Sequence, residues 1–119
     1  MKRDKIIFTG GSFHITGENV RMTMYELTEL FYTIEPVIRN VFVRLRKSGV
    51  IREYETSRYE QLDGGYEVEV YHLEAIIAIA FHIDTPRARL LRKWLTKKLA
   101  FNSHGVITVF VQTTARMES

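Results

Sequence analysis

The chain of 119 residues contains no cysteine, only two prolines and a single tryptophan. The absence of cysteine excludes a disulfide scaffold and every thiolate site, including cysteine-ligated zinc. The longest apolar run, Ala75–Phe81, is far shorter than the roughly 20 residues of a membrane-spanning helix. The basic start at Lys2 is followed by too few apolar residues for a secretory signal. We therefore expect a cytoplasmic protein with no membrane partner.

Charge is distributed unevenly along the chain, although the formal net charge is only +3. Segments 36–52 and 86–99 contain 11 of the 17 basic residues and no acid, whereas segment 53–74 contains 7 of the 14 acids. Segregation of this kind creates local positive potentials that attract phosphate groups. The pattern favours a nucleic-acid partner, with solvated helix faces as the alternative.

Short runs with alternating apolar and polar residues predict a set of strands. They are expected at 5–8, 12–16, 20–22, 52–58, 66–71 and 106–111. The turn at 17–19 suggests that 20–22 returns as a hairpin partner of the preceding strand. The turn at 63–65 predicts a second hairpin from 52–58 and 66–71.

Apolar residues at helical spacing predict four helices. They are expected at 24–31, 35–47, 73–83 and 87–101. Thr23 and Glu26 have the spacing of a capping box at the start of the first helix. Pro36 suits the first turn of the second helix, and Gly49 suits its end. The second helix is expected to bury one stripe of residues: Val37, Ile38, Val41, Phe42 and Leu45.

A short helix, a three-residue turn, a longer helix and a hairpin follow one another in the order of a winged helix-turn-helix. We therefore expect residues 1–119 to form one α+β domain of this kind, with two further helices and a C-terminal strand. The second helix would enter the major groove of DNA. Residues expected to touch base edges are Glu35, Pro36, Arg39, Asn40 and Val43. Residues expected to contact phosphates are Arg44, Arg46, Lys47, Arg87, Arg92, Lys93 and Lys97.

The predicted hairpin has the wrong charge for contact with DNA. Its acids outnumber its two arginines, Arg52 and Arg58: Glu53, Glu55, Glu60, Asp63, Glu67 and Glu69. Because phosphates would repel these carboxylates, we expect the hairpin to point away from the duplex or to contact a partner subunit.

Segment 22–99 resembles the virulence-associated RhuM family, prokaryotic proteins of mobile and pathogenicity-island DNA. The sharpest likeness is the run Tyr-His-Leu-Glu-Ala-Ile-Ile at 71–77, where that family has Tyr-Asn-Leu-Asp-Ala-Ile-Ile. Further matching positions are Arg87, Arg92, Trp94, Thr96 and Leu99. The resemblance implies a DNA-binding regulator of transcription or of a mobile element. The chain departs from the family at Pro36 and after Leu99, where the family continues into a longer helical extension.

The chemistry of the remaining residues favours a binding protein over an enzyme. The four histidines (His14, His72, His82 and His104) form no metal-binding pair, and Gly10-Gly11-Ser12 lacks the lysine of a phosphate loop. We expect a homodimer that binds two half-sites of double-stranded DNA, with no metal, cofactor or small-molecule substrate. One alternative is a protein-interaction module whose helix 87–98 docks an acidic partner. A weaker alternative is a hydrolase or nuclease that acts on nucleic acid.

Overall fold

The computed structural model describes residues 3–51, 57–61 and 64–101. Within these ranges the chain is a mixed α+β structure with four helices and two small antiparallel sheets. The elements are β1 (Ile6–Thr9), β2 (Ser12–Ile15), β3 (Arg21–Thr23), α1 (Met24–Phe31), α2 (Glu35–Ser48), β4 (Ser57–Gln61), β5 (Glu67–His72), α3 (Leu73–Ala80) and α4 (Pro86–Phe101). The α+β class is thus confirmed, while the strand predicted at 106–111 lies outside the described residues.

The turn at 17–19 suggested that β3 pairs with the preceding strand, and this prediction was wrong. β1 and β2 form a sheet by themselves, and β3 joins β5 in a sheet of order β3-β5-β4. Asp4 causes the redirection, since its carboxylate accepts the Asn19 N–H at 3.0 Å and its backbone forms a parallel bridge with Val20. A Cβ atom at position 17 would lie 2.4 Å from Asp4 Oδ2, so this close approach requires Gly17.

The predicted capping box at the start of α1 is confirmed. Thr23 Oγ1 accepts the Glu26 N–H at 3.2 Å, and Glu26 Oε1 accepts the Thr23 N–H at 2.8 Å. The same carboxylate binds Arg3 Nη1 at 2.6 Å and Lys5 Nζ at 2.7 Å. One side chain therefore ties the N-terminal segment to the first turn of α1.

Because of this network, the stability of the fold depends on pH. Burial by itself raises the pKa of Glu26, but the hydrogen bonds from Arg3, Lys5 and the Thr23 backbone outweigh burial and lower it from 4.5 to about 2. Because the folded pKa lies below the unfolded value, the contribution is complete above pH 4.5 and is lost as the pH falls toward 2. After a discount for solvent screening, we expect a loss of about 1–2 kcal/mol in the free energy of unfolding.

Urea titrations at several pH values measure this loss directly. A Glu26→Gln variant has no carboxylate to protonate, and its stability should change less than that of the wild type across the same pH range. Parallel pH profiles for the two proteins would contradict the role of Glu26.

α3 ends earlier than the predicted residue 83. Its last turn closes at Ala80, where the N–H groups of Phe81 and His82 bond to carbonyls within the helix. Arg92 Nη1 donates to the carbonyls of Ala80 at 2.8 Å and Ile83 at 2.9 Å, which satisfies backbone oxygens at the turn. Ile83 is still buried, although it is no longer helical. A side chain from α4 therefore helps to end α3.

The core lies where the four helices meet the inner faces of the two sheets. Its largest fully buried side chains are Phe31, Ile6, Met22, Leu27, Ile38, Ile76, Ile79, Leu91 and Val70. The stripe predicted for α2 is buried except for Val37, which is 36% exposed. The prediction for Val37 was wrong because it lies about 100° around the helix from Ile38, at the edge of the stripe.

Candidate nucleic-acid interface

α2 begins and ends where the sequence predicts. A three-residue turn after Phe31 leads into the helix, Pro36 lies in its first turn, and Gly49 closes it with a φ of 79°. Since Ile38 and its neighbours fix the buried side, the opposite side faces solvent. The side chains exposed on that side are Glu35, Pro36, Arg39, Asn40, Val43, Arg44 and Lys47. We call these seven residues the α2 face.

Arg39, the strongest candidate for base contact, is paired within its own helix. Its Nε donates to Glu35 Oε1 at 2.7 Å, and its Nη2 lies 2.5 Å from the same oxygen. The hydrogen bond to Glu35 raises the pKa of Arg39 above its ordinary value. Both side chains are about half exposed. An exposed pair at this spacing contributes about 0.3–0.5 kcal/mol, which a bidentate bond to a base can replace.

The hairpin β4–β5 packs on one flank of α2. The rings of Phe42 and Tyr71 stack with centroids 4.6 Å apart, and the Arg46 guanidinium lies 5.5 Å from the Phe42 centroid. Arg46 is half-buried, and its Nε has no hydrogen-bond partner in the part of the chain that the structure describes. Arg46 is therefore less available to a phosphate than Arg44 or Lys47.

The carboxylate of Glu69 is hydrogen-bonded to neighbouring side chains of the hairpin. It accepts hydrogen bonds from Ser57 Oγ at 2.6 Å and from the Tyr71 hydroxyl at 3.0 Å. Burial raises the pKa of Tyr71 to about 12, with a further contribution from Glu69. Tyr71 therefore remains a neutral hydrogen-bond donor at neutral pH. The Glu69 carboxylate also interacts electrostatically with Arg39 of α2.

Glu60 is the hairpin acid that packs against two arginines of the protein. Its side chain is only 9% exposed and lies 2.8 Å from Arg21 Nε and 2.6 Å from Arg58 Nη2. Arg21 belongs to β3, so this ion pair crosses the sheet over β5. Glu67 on β5 is exposed. Glu53, Glu55 and Asp63, together with Arg52, lie outside the described residues.

The α4 cations predicted to meet phosphates divide into two groups. The Arg87 guanidinium lies 3.9 Å from the Phe8 ring centroid and 5.3 Å from that of Tyr32, and Arg92 donates to the turn after α3. Both arginines are partly buried and support the fold. Lys93 and Lys97 are exposed. Sequence reasoning missed the aromatic partners of Arg87, because no local signal links Phe8 to α4.

His82 lies between the depression beside α2 and the groove along α4. Together with Arg44 it lines a depression of about 310 Å³ beside α2, and it also lines a larger groove along α4. Its Nδ1 lies 2.8 Å from the Ala78 carbonyl oxygen. The exposed cations Arg44, Lys93 and Lys97 are therefore arranged along neighbouring surfaces.

Metal clusters and membrane-spanning helices are absent from the described residues. Residues 3–51, 57–61 and 64–101 contain no group of three or more His, Asp or Glu side chains that could hold a metal ion. No helix in these ranges is both long and apolar enough to cross a membrane. His14 contacts Ser12 Oγ at 3.3 Å, and His104 lies outside the described residues. The α2 face therefore remains the strongest candidate site.

Comparison of the chain with family models, curated proteins and solved structures finds no match.

Proposed function

We propose that this chain is a double-stranded DNA-binding protein of the winged helix-turn-helix kind, which regulates transcription or a mobile element. Three features of the fold support the proposal. α1 and α2 are separated by a three-residue turn, the hairpin β4–β5 follows α2, and β3 precedes α1 and completes a β3-β5-β4 sheet. In a winged helix-turn-helix of this order, α1 would brace α2 and the hairpin would be the wing.

The observation that carries the proposal is the exposure of the α2 face. Its centre has small or apolar side chains at Pro36 and Val43, with Asn40 between them and Lys47 one turn beyond. An α-helix fits the major groove, where apolar groups contact thymine methyls and amides pair with adenine. We assign base contacts to Glu35, Pro36, Arg39, Asn40 and Val43.

Phosphate contacts follow from the exposed cations at the C-terminal end of α2. Arg44 and Lys47 are exposed and lie on the groove-facing side, so they can neutralise backbone phosphates and position the helix without specifying sequence. We further propose a homodimer, because two copies of α2 would read half-sites one helical turn apart. The resemblance of segment 22–99 to the RhuM family is consistent with this function.

Substitutions on α2 test the proposal through their different effects on specificity. A site is first obtained by selection from random duplex oligonucleotides. Arg39→Ala should then lower affinity for the selected site by about 1–3 kcal/mol and relax base preference at one position. Lys47→Ala should lower the affinity for selected and unrelated duplexes alike. The slope of log affinity against log salt concentration should fall by about the contribution of one phosphate contact.

Lys98→Ala is the matched control, since Lys98 is an exposed lysine on a different helix. It should leave the base preference unchanged. Equal affinity of wild type and Arg39→Ala for the selected duplex would show that α2 is not the recognition helix.

The alternative is a protein-interaction module without a nucleic-acid role, in which the exposed lysines Lys93 and Lys97 of α4 would meet an acidic partner. Duplex binding at two salt concentrations separates the two functions. A DNA-binding protein that neutralises several phosphates loses affinity steeply between about 50 and 200 mM salt. An interaction module binds duplex weakly at both concentrations.

A further inference from the structure

An open groove of about 910 Å³ runs between the turn after α3 and the exposed side of α4. Phe81, which is 40% exposed, contributes apolar surface to it, with the buried Ile83 behind the lining. Lys93, Thr96 and Lys97 line the α4 side. Carbon atoms make up most of the lining, so the groove combines an apolar floor with a cationic rim. We call it the α3–α4 groove.

Two of the cations that line this groove, Lys93 and Lys97, are available to a ligand. Arg92 is engaged with the Ala80 and Ile83 carbonyls, and Arg89 pairs at 2.7 Å with Asp84, the one acid among the groove's described lining residues. Lys93 and Lys97 are exposed, and neither has an ion-pair partner in the part of the chain that the structure describes. A ligand in the groove therefore meets two cations that need no internal bond broken.

We infer that the α3–α4 groove binds an acidic peptide segment of a partner protein. Lys93 and Lys97 lie one helical turn apart, a rise of about 6 Å. Carboxylates two positions apart in an extended peptide are separated by about 6.6 Å and match this spacing. An apolar side chain of the same segment covers Phe81. The peptide thereby contacts both the apolar floor and the two lysines of the rim.

Duplex DNA fits the groove less well. Phosphates complement the two lysines, but a DNA backbone presents no apolar group that could bury the Phe81 ring. Because apolar contact stabilises a complex in proportion to the area removed from water, the floor favours a peptide over a phosphate chain. The inference uses no residue of the α2 face, but it assigns Lys93 and Lys97, which the sequence predicts as phosphate contacts, to a peptide instead.

Selection from a displayed library of random peptides of about a dozen residues tests the inference. The immobilised wild-type chain should enrich peptides with two Asp or Glu residues close to a Phe or Leu. Fluorescence polarisation with the enriched peptide should show about tenfold or weaker affinity for the double variant Lys93→Glu/Lys97→Glu. Phe81→Ser should also weaken binding. Lys98→Glu carries the same kind of charge change outside the groove, and it should bind within about twofold of wild type.

Three results would overturn the inference. The selection could enrich no acidic peptide, or the enriched peptide could bind the double variant as tightly as wild type. Alternatively, the double variant could lose duplex affinity and salt dependence while no peptide is enriched, which would assign the groove to a DNA footprint. Thermal melts of each variant verify that it is folded. Arg39→Ala, measured in parallel, reports on the proposed DNA function alone, so failures of the two proposals are distinguishable.

Discussion

Replacement of Phe31 by alanine should lower the free energy of unfolding by about 3–5 kcal/mol. Phe31 is fully buried, with 0% of its surface exposed, and it is the last residue of α1. Its carbonyl accepts the Thr85 hydroxyl at 3.1 Å, which joins the end of α1 to the start of α4. Removal of the ring leaves a cavity in the core where these helices meet, and neighbouring side chains fill it only partly.

Chemical denaturation at neutral pH measures this effect, with two controls. Phe31→Leu preserves most of the apolar volume and should cost less than Phe31→Ala. Tyr25→Ala removes a ring that is 72% exposed on the same helix and should change stability by about 0.5 kcal/mol or less. A loss below about 1 kcal/mol for Phe31→Ala would contradict the packing described for this site.

Substitution of Glu60 by leucine should cost about 3 kcal/mol, because it removes a carboxylate partner from a buried arginine. The Arg21 side chain is 7% exposed and lies 2.8 Å from Glu60. Val70, which is fully buried, belongs to the same face of the β3-β5-β4 sheet as both residues. Loss of the Glu60 carboxylate removes one partner of the Arg21 guanidinium, which still donates to Asn19 Oδ1 at 3.2 Å, and weakens the compensation of a poorly hydrated charge.

A double-mutant cycle measures the coupling between the two side chains. Arg21→Met combined with Glu60→Leu removes both charges and keeps apolar volume, and it should be less destabilising than the sum of the single changes. Glu67→Leu is the control on the neighbouring strand, since Glu67 is exposed. Additive effects of Arg21→Met and Glu60→Leu would show that the pair contributes no coupling energy.

The parts of the fold that depend on near neighbours in sequence were predictable. The capping box of Thr23 and Glu26, the proline in the first turn of α2 and the glycine at its end all act within one helical turn. The predicted pairing of β3 and the predicted end of α3 were wrong for the opposite reason. Asp4 directs β3, and Arg92 helps to end α3, and both act across the fold.

In the candidate site, too, local features were predictable from the sequence and contacts between separate elements were not. Exposure of the α2 face followed from helical periodicity, because the buried stripe defines the opposite side. The pairing of Arg39 with Glu35 fits their spacing of four residues, although the sequence analysis assigned both side chains to base contacts. The placement of Arg87 over Phe8 and the burial of Glu60 against Arg21 had no sequence signal, since each joins residues of separate elements. A count of cations along the chain therefore overstated how many are free.

Tyr32 adopts the left-handed conformation, with a φ of 51° and a ψ of 58°, and is the one non-glycine residue with positive φ among the described residues. Its N–H bonds to carbonyls of α1, the Thr33 N–H bonds to Thr28 at 3.1 Å, and the Arg87 guanidinium lies over its ring. The joint between α1 and α2 is thus anchored to both α1 and α4. A ligand that approaches α2 meets a helix whose orientation is already set, so association need not include the entropy loss of ordering a loose connection.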